Sequence, residues 1–186
     1  MTKGFLRAFR RDRRGVSAVE FALIAPLMIF AYLAVSILCG ATLAGRRASH
    51  AAAAMGDLAA QDTTINKAGI TDICTVANVI MAPYDTTSSA MQMRVSDIHE
   101  DANGNVTVGW GPLCQGLPAL VKGSAYTGPA TTLLSPNQAI IVAEVHYTYT
   151  SPLQNLNISW LPGTHPFVYT FYLQPRQSSD VICSDC

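Results

Sequence analysis

Hydrophobic and polar positions change rhythm three times along the chain. From Phe21 to Gly45 there are 25 residues without a charge. A soluble surface helix shows a polar stripe at 3.6-residue spacing, and this run has none. As a helix it would reach roughly 38 Å, more than the ~30 Å hydrocarbon core of a bilayer. Pro26 does not argue against a span, because membrane helices tolerate proline better than soluble ones. The alanine-rich stretch 46–61 then puts Ala48, Ala51, Ala52, Met55, Leu58 and Ala59 near one face, while His50 and Asp57 point elsewhere as solvated groups. The pattern predicts one helix from about Val16 to Ala60, roughly 68 Å long.

After Asp62-Thr63-Thr64 the helical period returns from about Lys67 to Met81, with Ile70, Ile73, Cys74, Val76, Ala77 and Ile80 as its apolar set and Pro83 as its stop. Beyond a turn at Tyr84–Ser89 the period changes to two. Met91, Met93 and Val95 alternate with Gln92, Arg94 and Ser96 as far as about His99, and Asn103-Gly104 then signals a hairpin into Val106, Val108 and Trp110. Residues 111–136 are rich in Gly and Pro and read as a surface loop, with a short helical turn at Pro118–Lys122. The next strand is Gln138–Thr150, with Ile141, Ala143, Val145, Tyr147 and Tyr149 on one face. Leu153–Pro166 reads as loop, and Phe167, Tyr169, Phe171 and Leu173 mark a last strand closed by Pro175. The expected fold is α+β: a long N-terminal transmembrane helix continuing past the membrane, one short helix, and a four-stranded antiparallel sheet with one face on the helices. The expected divisions are a basic leader (1–15), the helix (16–61) and a head domain (62–186).

Charge sets the orientation. Residues 1–15 carry Lys3, Arg7, Arg10, Arg11, Arg13 and Arg14 against Asp12, whereas only Arg46 and Arg47 lie close on the far side. The positive-inside rule places the N-terminus in the cytoplasm and the head outside. The whole chain has 12 basic and 12 acidic residues, but beyond the leader acids outnumber bases. The basic cluster therefore reads as a topology signal and not as a nucleic-acid footprint. The apolar run is too long for the ~7–15-residue core of a secretory signal peptide. Glu20, at the mouth of the apolar helix, costs energy unless something pairs with it.

Four of the five cysteines (Cys74, Cys114, Cys183, Cys186) fall on the exported side, where disulfides persist; Cys39 lies inside the span as a small apolar filler. Four cysteines allow three pairings, of which Cys74–Cys114 with Cys183–Cys186 is preferred. Cys183-Ser-Asp-Cys186 has redox spacing, yet it ends the chain where a thioredoxin-like motif would open a helix, so a structural clip is preferred to a membrane-tethered thiol enzyme. The four histidines (His50, His99, His146, His165) show neither HExxH nor an i, i+4 pair, and neither a phosphate loop nor a nucleophile elbow is present. Glu144 and His146 share a strand face as a solvated or structural pair. His99, Glu100 and Asp101 read as a charged turn, the aromatics of the last two strands as packing beneath a helix, and Asn157-Ile158-Ser159 as a glycosylation sequon to which no role is assigned. No catalytic set, metal site, cofactor or small-molecule substrate is expected.

The leader, Gly15 and Glu20 five residues on resemble the processing site of type IV pilin-like proteins, and RRGVSAVEFALIAPLMI (13–29) resembles the TadE/TadG family of the tight-adherence (Tad/Flp) pilus. SHAAAAMGDLAAQ (49–61), VAEVHYTYTSPL (142–153) and YLQPRQSSDVIC (172–183) resemble recurrent pieces of that family's periplasmic heads, more loosely. The DxSxS metal motif of the larger TadG-type members is missing, so the chain is similar to the short, TadE-like kind. The resemblance implies cleavage by a prepilin peptidase between Gly15 and Val16, and a role for Glu20 in setting register against the N-terminal amine of a neighbouring subunit. An amine and a carboxylate buried together offset each other's desolvation. It further implies a bacterial inner-membrane minor pilin or assembly component with a periplasmic head, and partners among other pilins and Tad inner-membrane proteins. The alternative is a permanently anchored periplasmic interaction protein that never enters a filament.

Overall fold

A computed structural model describes residues 15–154 and 163–186. Residues 1–14 of the basic leader and the sequon at Asn157 lie outside the described residues. The chain is α+β and divides into two compact units, 1–40 and 41–186. Helix α1 covers Val16–Gln61 and includes Pro26. Strand β1 (Thr64–Ile65), helix α2 (Lys67–Met81), β2 (Met91–Glu100), β3 (Val106–Trp110), a 3-10 turn (Pro129–Thr132), β4 (Ala139–Thr150), β5 (Thr164–Leu173) and β6 (Ile182–Cys183) follow. The main sheet is antiparallel in the order β3-β2-β4-β5, and β1 and β6 form a small parallel pair.

In the second unit, alternation sorts the strands onto two faces. Met91, Met93 and Val95 of β2 and Ile141, Ala143 and Val145 of β4 are fully buried, as are Ala44, Ala48, Ala51, Ala52, Met55, Ala59 and Ala60 along one side of α1. The helix meets this face closely. A Cβ on Gly56 would touch Leu173 and Ala143, and one on Gly45 would meet Phe167 and Tyr169. Leu58, expected on that stripe, is only half-buried. Helix α2 opens on Asn66, whose side chain accepts from the Gly69 amide at 2.7 Å, which satisfies one of the orphan donors of a helix N-terminus. It buries Ile70, Ile73, Cys74, Ala77 and Met81 and leaves Val76 40% exposed. At its other end Arg47 of α1 donates to the Ala82 and Ile80 carbonyls and lies over the Tyr84 ring. A cation there compensates the helix dipole.

Two expectations need correction and one is extended. Residues 111–136 lie largely at the surface, as expected, but they also build part of a core. Ala130 is fully buried with Ile98, Val108, Ile140 and Val142, and Leu120, Tyr126 and Leu134 pack on them, so the segment covers the second face of the sheet. The Val108 and Tyr126 amides and the Gly123 amide tie it to β3 as well. Its helical turn is at Pro129–Thr132, with proline in the first turn where its missing N–H costs nothing, and not at 118–122. Strand β5 begins at Thr164, so it contains Pro166; as an outermost strand it can hold a proline on its unpaired side.

Candidate functional site

The first candidate is the start of α1. The Gly15 carbonyl accepts the first helical hydrogen bond from Val19 at 3.1 Å, so Gly15 is the residue on which the helix begins. A side chain added there would meet nothing within 4 Å. Glu20 sits a little over one turn in and is exposed, as are Val16, Val19, Phe21, Leu23 and Leu27. The 18-residue apolar window of α1 has mean hydropathy 2.4 and is 6% buried. Such a helix is compatible with a single-pass membrane anchor, and a signal sequence has the same composition. Gly15, Val16 and Glu20 thus stand together on one exposed helical segment of the first unit.

Cys74, Cys114, Cys183 and Cys186 form Cys74–Cys114 and Cys183–Cys186, with Cα separations of 6.0 and 5.6 Å. The first ties α2 to the segment over the outer face of the sheet. The second closes within the C-terminal tail, and Asp185 beside it caps α2 through the Lys67 amide at 2.8 Å. Cys183, Asp185 and Cys186 place their ligand atoms within 4.8 Å of one another, but sulfurs joined as a disulfide offer no thiolate to a metal.

The charged side chains of the sheet find partners that sequence spacing did not indicate. Glu144 pairs with Arg94, directly opposite on β2, rather than with His146. Arg94 also donates to the Pro118 carbonyl at 2.9 Å and so pins the covering segment. Asp57, expected to be solvated, pairs with Arg176 and accepts from Gln61. Asp101 accepts from the amides of Asn103 and Asn105 at 2.8 Å, and these bonds, led by that of the Asn105 side chain, lower its pKa. His146 lines an open cleft of about 230 Å³ with Gln92, Thr148 and Pro166.

Asp97 escaped the sequence reading altogether. It faces Trp110 across a β-bulge, with Gly109 the extra residue; a Cβ on Gly109 would collide with the Asp97 carboxylate. The side chain is 1% exposed, and burial first, then the charge and hydrogen bond of Asp180, raise its pKa to about 8. Nothing in an alternating strand marks such a site, because Asp180 arrives from the far end of the chain.

Comparison with protein-family models, characterised proteins and solved structures returns no match.

Proposed function

We propose that the chain is a TadE-like minor pilin or assembly component of a Tad/Flp-type pilus, held in the bacterial inner membrane with its second unit in the periplasm. The observation that carries this reading is the 46-residue α1, uncharged from Phe21 to Gly45 and opened by Gly15 and an exposed Glu20. The six basic residues before it favour a cytoplasmic N-terminus. The resemblance of residues 13–29 to TadE/TadG proteins supplies the remaining step. Gly15–Val16 is then the prepilin-peptidase bond and Glu20 the acid that meets a neighbour's new N-terminal amine. In lipid each charge is costly alone and tolerable as a pair. The function is assembly through lateral helix contacts, without catalysis.

N-terminal sequencing of the protein extracted from membranes tests the first step, with Val16 as the expected first residue. A chain that begins at Met1 favours the permanently anchored protein. Because a side chain at Gly15 has open space around it, Gly15→Leu should block processing without disturbing the fold. Glu20→Ala should abolish co-purification of neighbouring subunits from detergent while leaving membrane insertion intact. Processing, fibre formation and subunit association that all persist in both variants would overturn the reading.

A further inference from the structure

No disulfide joins the C-terminal tail, residues 176–186, to the rest of the second unit. Its one disulfide is internal, and it is held by the Arg176–Asp57 ion pair, the buried Val181 and hydrogen bonds that include Arg176 N to Ala60 O at 2.9 Å, Ile182 N to Thr63 O at 3.1 Å, Ser184 N to Ile65 O at 3.0 Å, Lys67 N to Asp185 Oδ1 at 2.8 Å, and the Trp110 indole to Val181 O at 2.6 Å. Next to that indole bond the Asp97 and Asp180 carboxyls lie within hydrogen-bonding reach. One oxygen of each (Oδ1) is buried without a donor. Two ionised carboxylates cannot bond each other, and a buried acceptor left unmet costs free energy. A single proton between them removes both problems, since it turns one oxygen into a donor and takes away the like-charge repulsion.

We infer that Asp97 and Asp180 form a proton-sharing latch that keeps the C-terminal tail docked on the sheet and loosens it as pH rises. The groups around Asp97 define the latch. Asp180 comes from the tail and Lys122 from the covering segment, the latter acting in the opposite sense. Strands β3 and β4 contribute Trp110 and Ile141, which carry no charge. His99 is the next titratable group on the same face of β2, and Asp57, the α1 carboxylate that meets the tail, is taken by Arg176. Burial in this setting pushes the Asp97 carboxyl from 3.8 to about 8. In a detached tail Asp97 would return towards its ordinary value. Docking therefore takes up a proton between those limits and weakens with rising pH across that window, by at most tenfold per pH unit.

Hydrogen-exchange mass spectrometry on the full chain in detergent micelles tests this, with rates corrected for intrinsic pH dependence. Amides of residues 181–184 should lose at least tenfold in protection between pH 5 and pH 8, while those of β2 and β4 hold theirs. D97N supplies a neutral donor to Asp180 and should make the tail's protection independent of pH. If D97N does not fold, D180N should do the same by donating to Asp97. H99Q should keep the wild-type loss. Equal protection at both pH values in the wild type, a wild-type loss in both carboxamide variants, or a loss abolished by H99Q would overturn the latch. Restoration of protection at pH 8 by millimolar calcium would also overturn it, by showing a cation and not a proton between the carboxylates.

Discussion

Gly56 shows how one missing methyl sets the distance between helix and sheet. A Cβ at that position would touch Leu173 and lie 3.2 Å from the Ala143 Cβ. The Leu173 tip can swing aside, whereas Ala143 is fixed by strand backbone. Gly56→Val should therefore lower stability by about 1–3 kcal/mol, the usual cost of overpacking, against the small gain from replacing a helical glycine. A thermal melt of the solubilised chain measures it. Arg94 and Glu144 make the complementary case. Their side chains are 14% and 19% exposed, so removing the cation alone strands a largely buried acid. Arg94→Met should cost about 1–3 kcal/mol, and the double variant Arg94→Met, Glu144→Leu should recover most of it, because an apolar pair avoids the desolvation. A double variant no better than the single one would show the ion pair itself to be the stabilising part. That pairing was hidden in the sequence. His146, two positions from Glu144, is visible at once, while Arg94 becomes a neighbour only when the β2–β4 register is known.

At the scale of elements, legibility followed periodicity. Helix α2, the alanine-rich second half of α1 and the four strands of the main sheet announce themselves by period 3.6 or 2, and the α1 stripe of alanines reads directly as the buried one. Residues 111–136 have no period, and their glycines and prolines resemble a solvated loop. Only tertiary contact shows that Leu120, Tyr126, Ala130 and Leu134 form a lid on the outer core. The Cys74–Cys114 bridge joins this lid to α2 over a sequence separation of 40, and Cys183–Cys186 spans only 3. In the chain-entropy account, which is one of several, the longer loop restricts the unfolded chain more. Replacing Cys74 and Cys114 with Ser should cost about 4 kcal/mol, and replacing Cys183 and Cys186 about 2 kcal/mol. Denaturant unfolding of the two double variants ranks them, and the reverse order would place the main effect in native-state contacts instead. The tail that carries the smaller bridge was illegible for a different reason. Its partners, Trp110, Thr63 and Ile65, are each more than 70 residues away, and β1 and β6 are two residues long, too short to leave a pattern.

On the scale of the whole molecule, the two units dispose of their apolar side chains differently. The first carries them outward, as a single-pass membrane anchor or a signal sequence would. The second buries its own core and, within it, the carboxyl of Asp97. Because Asp97 is raised in the folded state, to about 8 from 3.8, folding consumes a proton between those values. The sign follows: the contribution of Asp97 is full below about pH 3.8, declines as pH rises to about 8, and changes no further above it. The slope approaches ~1.4 kcal/mol per pH unit if Asp97 titrates alone. Carboxylates that are stabilised when ionised, Asp101 among them, act in the opposite direction at lower pH, since their folded-state pKa is depressed. The net expectation is a stability maximum near pH 5, falling towards pH 8. Asp97→Asn should remove the descending limb, so that the variant equals or exceeds the wild type at pH 8 and falls below it at pH 5, where the wild-type carboxyl pair is fully bonded. Denaturant midpoints of both chains at pH 5, 6.5 and 8 measure the difference. Parallel curves would mean that Asp97 ionises in place, with the second unit yielding enough room for water to reach it.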